Sequence, residues 1–290
     1  MPFDRATLET AIHASGGGKQ PEDQVNGLLV KLRALEATDG RYGGLLNALG
    51  NVNDESNLRS LIFEATFAYQ FEAAGMALEY EVKQAPGQPS SIDFRLNATS
   101  GQSVFFELRL LQQDRATAEE IATQLKANKQ YAVMKDGRAE ADEIIRLQSI
   151  ILAKVQKPDG TPIKFFDAGP GVVNIVVVAI SDILLGTADI YDCILSMYGD
   201  SKVPALCRRG VFGMFQDVKD ADPAEFQALG ARFGYAKGIL HGVLFLFRPP
   251  GTGVLDYQLQ QFLVWNRALV SQMSVTALEE QIAQVLPAKE

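Results

Sequence analysis

Apolar residues recur at helical spacing in the first quarter of the chain. Within Asp23–Glu36 the apolar side chains lie three or four positions apart, which predicts an amphipathic helix. A longer stretch, Leu58–Met76, shows the same spacing, and Asn53 or Asp54 can cap the N-terminus of that helix. The chain is therefore predicted to open with helices that precede any strand.

After these helices the period of the apolar pattern changes from near 3.6 to 2, which indicates strands. Alternating runs at Ser91–Leu96 and Ser103–Leu111 flank a short polar turn and predict a hairpin. The segment Val172–Ile180 is almost continuously apolar and β-branched, which is typical of a strand covered on both faces. Further strands are predicted at Leu78–Val82, Ile239–Phe247 and Tyr257–Trp265, and further helices at Thr117–Tyr131, Glu140–Val155, Ile183–Met197, Pro223–Phe233 and Ser274–Leu286.

The succession of these elements predicts the fold class. An α/β protein with a central mixed β-sheet flanked by helices fits the order of strands and helices better than a helical bundle or an all-β fold. Residues 1–52 are predicted to form an N-terminal helical extension, and residues 53–290 the α/β core domain.

Composition and charge narrow the class of protein. The 290 residues are 47% hydrophobic and 21% charged, which excludes a disordered or collagen-like chain. A formal net charge of −8 argues against bulk adhesion to nucleic acid or anionic lipid, but it leaves room for a local basic groove. Two cysteines and two histidines argue against a disulfide framework and a zinc cluster. Because we find neither a signal peptide nor a membrane-length apolar segment, we expect a cytoplasmic location and no membrane partner.

The predicted hairpin carries the charged residues of most chemical interest. Successive residues of a strand point to opposite faces, so the apolar and charged side chains separate. Ile92, Phe94 and Leu96 are expected on one face, with Val104, Phe106, Leu108 and Leu110 of the second strand, and Asp93, Arg95, Glu107 and Arg109 on the other. Two interpretations remain open: the four charges neutralise one another as exposed pairs worth under about 1 kcal/mol each, or they form part of a site.

A third carboxylate is predicted on the preceding long helix. Glu64 lies in a stripe of apolar positions that a helix buries, together with Leu61, Phe67 and Phe71. A carboxyl group in such a stripe must be paired, bound to a metal or protonated. A buried arginine partner and a metal ion are both compatible with the sequence.

The chain resembles the PD-(D/E)xK nuclease superfamily, also called the restriction-endonuclease-like fold. The resemblance lies in a helix with an inward glutamate followed by the strands SSIDFRL and SVFFELRLL. The matching positions are Glu64 on the helix, Asp93 on the second strand and the triplet Glu107-Leu108-Arg109 on the third. A weaker likeness continues through EIIRLQSIILAKVQKP, VVNIVVVAIS and VWNRAL, so the resemblance covers roughly Asn53–Leu269. The proline that the family carries beside the aspartate is absent.

The resemblance implies a divalent cation, Mg²⁺ or Mn²⁺, held by Glu64, Asp93 and Glu107. In that family the lysine of the triplet orients or activates the attacking water, or stabilises the developing charge. Arg109 stands at that position here. Arginine is a poor base, although its planar fork can hold a phosphate.

Three consequences of an arginine at the position of the triplet lysine remain open. Arg109 stabilises charge while the metal alone activates water, or a lysine reaches in from the following helices, or the site is degenerate. The candidate lysines are Lys126, Lys129 and Lys154, which also lie in a segment, residues 126–164, with eight basic and five acidic residues. This local excess of positive charge is the candidate surface for contact with DNA.

The leading hypothesis is a divalent-metal-dependent nuclease that hydrolyses phosphodiester bonds in DNA. The alternative is a catalytically inactive nuclease-fold protein that acts as a binding or assembly module. A third interpretation is an unrelated α/β protein in which the carboxylates occur together by chance.

Overall fold

The computed structural model describes residues 3–87, 90–112, 123–124, 126–127, 140–182, 188–202, 208–216, 222–249, 251–271 and 273–289. The predicted helix Thr117–Tyr131 lies almost entirely outside these residues, as does the first part of the predicted helix Ile183–Met197. Within the described segments no helix has both the length and the apolar character that crossing a membrane requires.

Among the described residues, four helices precede the first strand. They are α1 (Arg5–Ala14), α2 (Glu22–Glu36), α3 (Gly43–Gly50) and α4 (Glu55–Ala73). The side chain of Asp54 caps α4 by accepting a hydrogen bond of 2.8 Å from the backbone N–H of Asn57, as predicted. The apolar pattern did not predict α3, which has only eight residues and so little more than two turns.

The described strands form one six-stranded sheet in which the order of the strands follows the order of the chain. They are β1 (Leu78–Val82), β2 (Ile92–Asn97), β3 (Ser103–Gln112), β4 (Val172–Asp182), β5 (Gly242–Phe247) and β6 (Gln260–Trp265). β3, β4 and β5 pair in parallel, whereas the other neighbours pair antiparallel. This mixed sheet, with helices around it and a helical N-terminal region, confirms the predicted α/β class.

Further helices follow the third strand. Those described are α5 (Glu140–Val155), α6 (Ile190–Tyr198), α7 (Pro223–Ile239), α8 (Arg267–Val270) and α9 (Thr276–Val285). Helix α7 continues for six residues beyond its predicted end at Phe233. Helix α9 begins two residues after its predicted start at Ser274, and its N-cap residue, Val275, provides no side-chain hydrogen bond.

Two hydrophobic clusters cover the two faces of the sheet. The first cluster contains apolar residues of α1–α4 and α9, and the second contains those of α5, α6 and α7. Successive residues of β4 alternate between them: Ile175 and Val177 pack in the first cluster, Val176 and Val178 in the second. The prediction that this strand is covered on both faces is therefore confirmed.

The sheet is irregular where β2 begins. The last paired residues of β2 and β3 are Phe94 and Phe106, and Asp93, the residue that precedes Phe94, is no longer paired with β3. On β1, Glu81 lies opposite Asp93 with a φ of 53°, in the left-handed region that side chains other than glycine rarely adopt. Ile92 consequently packs in the second cluster although Phe94 packs in the first, so the prediction that both share a face is wrong.

Candidate active site

Glu64 projects from α4 toward the edge strand β1. It is half-buried, and its Oε2 atom accepts a hydrogen bond of 3.2 Å from the hydroxyl group of Tyr80. Burial raises the pKa of Glu64, and the nearby negative charge of Asp93 raises it further, to about 8. Among the described residues no arginine pairs with Glu64, and the hydroxyl group of Tyr80 donates to it instead.

Asp93 lies where β2 separates from β3. Its Oδ2 atom accepts a hydrogen bond of 2.7 Å from the backbone N–H of Leu108, so the side chain occupies a position that a regular ladder would give to backbone. Burial and then the charge of Glu107 raise the pKa of Asp93 to about 6. This hydrogen bond fixes the side chain of Asp93 next to Glu107, the residue before Leu108 on β3.

Glu107 lies in the middle of β3 and is 0% exposed. Its Oε1 atom accepts hydrogen bonds from two ammonium groups, at 2.6 Å from Lys154 Nζ and at 3.0 Å from Lys164 Nζ. Its Oε2 atom is buried and has no hydrogen-bond partner among the described residues. A buried carboxylate oxygen with no donor is costly, and such an atom calls for an explanation.

The two lysines come from one continuous stretch of chain. Lys154 lies in the last turn of α5, and Lys164 lies in the segment that connects α5 to β4. The charges of Lys154 and Glu107 both act on Glu64 and Asp93, so all these groups share one electrostatic environment. The site thus combines three carboxylates from a helix and two strands with two ammonium groups.

The other charged residues of the hairpin do not join this cluster. Arg95 forms an ion pair with Glu79, its cross-strand neighbour on β1, and not with Asp93 or Glu107, so the four hairpin charges do not neutralise one another as the first interpretation expected. Arg109 is exposed, and no hydrogen bond or ion pair links it to Glu64, Asp93 or Glu107.

The three candidate lysines have different positions. Lys126 is exposed, Lys129 lies outside the described residues, and Lys154 contacts Glu107. Sequence reasoning missed Lys164 and Tyr80 as members of the cluster. Tyr80 was detectable in principle, because β1 lies next to β2 and alternation places Tyr80 on the α4 side with Phe94. Lys164 gave no periodic signal, because it lies outside helices and strands.

A metal centre is not fully preformed in this arrangement. Among the described residues, no three histidine, cysteine, aspartate or glutamate side chains are close enough to hold an ion by themselves. The cluster nevertheless contains carboxylate oxygens, which are the ligands that Mg²⁺ and Mn²⁺ prefer.

Comparison with known proteins gives little further information. No family model and no curated protein matches the chain. Among solved structures, it is similar to that of SfsA from Pyrococcus furiosus in complex with Ca²⁺, with 12% sequence identity and a TM-score of 0.23. The match covers 74% of this chain and 63% of that chain, so this chain spans less than two thirds of the length of that protein. A likeness this weak carries no argument about function.

Proposed function

We propose that the chain is a divalent-metal-dependent nuclease that hydrolyses phosphodiester bonds in DNA. The observation that carries the proposal is the buried Glu107, which shares its surroundings with Glu64 and Asp93 and keeps one oxygen without a described donor. Three carboxylates that repel one another, two of them with raised pKa values, reduce the stability of a folded protein. A bound cation compensates for such a cost.

The residues fit a Mg²⁺ or Mn²⁺ ion. Asp93 and Glu107 would hold it, with Glu64 as the third carboxylate, and the Oε2 atom of Glu107 is the oxygen left to coordinate it. Mg²⁺ is often bound by only one or two carboxylates, with water and substrate phosphate completing its coordination, so the absence of a three-residue cluster among the described residues is compatible with this assignment. When bound, the ion supplies charge neutralisation at the transferring phosphoryl group.

In this proposal Lys154 has the role of the triplet lysine in the PD-(D/E)xK superfamily, which the chain resembles. Its ammonium group already donates to Glu107, so it can orient the attacking water or stabilise charge next to the carboxylates. Arg109, exposed and not linked to those carboxylates, is then available only for the surface of the substrate. Lys126, which is exposed, and Lys129 would add to the basic surface that contacts DNA.

The test combines Mn²⁺ titration by calorimetry with a plasmid-nicking assay on the wild type and Glu107→Gln. We expect the wild type to bind Mn²⁺ and to nick DNA, and Glu107→Gln to lose both, with at least about 100-fold less cleavage. Glu79→Gln is the matched control, because it removes a carboxylate from the neighbouring edge strand that is paired with Arg95. That control should leave both measurements unchanged.

The same assays separate Lys154 from Arg109. We expect Lys154→Met to reduce cleavage strongly while Mn²⁺ binding persists, and Arg109→Met to reduce cleavage little. Metal binding without cleavage in the wild type would favour the alternative, an inactive binding or assembly module. If neither the wild type nor Glu107→Gln binds Mn²⁺, and the metal changes cleavage by neither protein, the proposed metal site is wrong.

A further inference from the structure

We infer that Lys164 is a second substrate-binding residue of this site, which contacts a non-bridging oxygen of the phosphodiester and acts separately from Lys154. The inference rests on the proposed function and deepens it. Neither the resemblance nor the sequence pattern points to Lys164. What points to it is its position, 3.0 Å from the same Glu107 oxygen that Lys154 contacts.

The two ammonium groups form the outer layer of the cluster. The side chain of Glu107 is 0% exposed, whereas those of Lys154 and Lys164 are 22% and 23% exposed. A ligand that approaches from solvent therefore reaches the lysines before it reaches the carboxylate. An ammonium group has three donor hydrogens, and the contact with Glu107 uses one of those on Lys164.

The segment that carries Lys164 is held in place by the two residues that follow the lysine, Phe165 and Phe166. Phe166 stacks on Phe105, which lies two residues before Glu107 on β3, with 4.1 Å between the ring centroids. The side chain of Gln84 donates to the carbonyl of Phe165, and Asn174 Nδ2 donates to the carbonyl of Phe166 at 2.6 Å. Lys164 is therefore positioned in advance, and binding it to a phosphate costs little conformational entropy.

The charge balance of the cluster indicates that Lys164 contributes to attraction of the substrate. Without a cation the raised pKa of Glu64, about 8, keeps that carboxyl group protonated at neutral pH. A bound cation would displace this proton, and the three carboxylates and two ammonium groups would then carry one net negative charge. One divalent cation would make the cluster singly positive, which one phosphodiester neutralises. Without Lys164 the cation-loaded cluster would be neutral and would lose that attraction for the substrate.

The experiment measures binding of a fluorescein-labelled DNA duplex by anisotropy in Ca²⁺, as a function of salt, for Lys164→Met and Lys164→Arg. We expect Lys164→Met to weaken binding about tenfold and to reduce the slope of log K against log salt by about one, because one phosphate contact is lost. Lys164→Arg should retain most of the binding. Lys19→Met is the control, since Lys19 is exposed and lies outside the basic segment 126–164, and it should change the slope little.

Two results would overturn the inference. The first is an unchanged salt slope in Lys164→Met with weakened Mn²⁺ binding in the absence of DNA, which would show that Lys164 only holds Glu107. The second is a wild type without measurable duplex binding. A wild type that does not cleave DNA, yet binds it in a manner that depends on Lys164, would contradict the proposed hydrolysis and support the inference.

Discussion

The carboxyl group of Glu64 is in an environment that disfavours its charge. Glu64 is half-buried among apolar residues of α4, and the negative charge of Asp93 acts on it. Among the described residues its hydrogen-bond donor is the Tyr80 hydroxyl. The pKa of about 8 means that the folded protein holds a proton there at neutral pH, whereas an unfolded chain releases it near pH 4.5. Between these values the folded state binds more protons than the unfolded state, so the contribution of Glu64 to stability falls as pH rises.

This linkage predicts the behaviour of Glu64→Gln in the absence of metal. At pH 5 the variant and the wild type should unfold with similar free energies, because Glu64 is protonated in the folded wild type. At pH 9 we expect the variant to be more stable by about 2 kcal/mol, a value reduced from the full shift because solvent screens this half-buried group. Urea unfolding with a chelator at the two pH values measures the difference. An equal difference at both pH values would contradict the raised pKa.

At the scale of elements, the separation of β2 from β3 creates the site. A regular ladder would continue past Phe94 and Phe106, but the backbone N–H of Leu108 bonds to the side chain of Asp93 instead. Opposite Asp93, the backbone of β1 adopts a left-handed conformation at Glu81. Irregularities of this kind are often found next to functional sites, where they redirect a side chain.

The left-handed conformation predicts that Glu81→Gly stabilises the protein. Glu81 is exposed, so loss of its side chain costs few contacts, and glycine adopts a φ of 53° without steric cost. We expect a gain of about 1 kcal/mol in the free energy of unfolding. Asp39→Gly is the control: its φ is 50°, but aspartate tolerates this region better, so its gain should be smaller. Thermal unfolding of both variants decides the point, and destabilisation of Glu81→Gly would refute it.

The sequence predicts the elements better than it predicts the site. Alternation predicted β1 with its observed bounds. It also predicted that Glu107 and Phe106 point to opposite faces of the sheet, because the period of two is a local property. It failed at Ile92, because the irregularity there depends on the pairing of β1 with β2. Lys164 could not be predicted, since its position depends on a ring stack between residues 61 positions apart, Phe105 and Phe166.

At the scale of the whole molecule, an ion pair with a buried lysine joins α2 to a segment that follows β5. Lys31 Nζ lies 2.8 Å from Asp256 Oδ1, and the side chain of Lys31 is only 7% exposed. Gly27 on α2 makes room for this contact, because a Cβ atom there would lie 1.9 Å from Asp256 Oδ2. The helical N-terminal region is thereby fixed to the sheet, with which it also shares the first cluster.

This pair predicts an asymmetry between two substitutions. Asp256→Asn leaves the buried ammonium group of Lys31 without a counter-charge and should cost about 2 kcal/mol of stability. Lys31→Met leaves Asp256, which is 36% exposed and which water can solvate, so it should cost less. The double variant should be more stable than Asp256→Asn alone. Denaturant titration of the three variants measures these differences, and additive costs would argue against the pair.

The coincidence of strand order and chain order has a consequence for how the sheet assembles. Each new strand joins the outer edge left by the one before it, and none has to enter between two that are already paired. Nucleation at the β2–β3 hairpin, where the connection is short, therefore permits growth in both directions, and the entropic cost of loop closure is modest where β1 and β6 join. The connections from β3 to β4 and from β4 to β5 are equally long and carry the highest such cost. The first of them is also the stretch that delivers both lysines to Glu107.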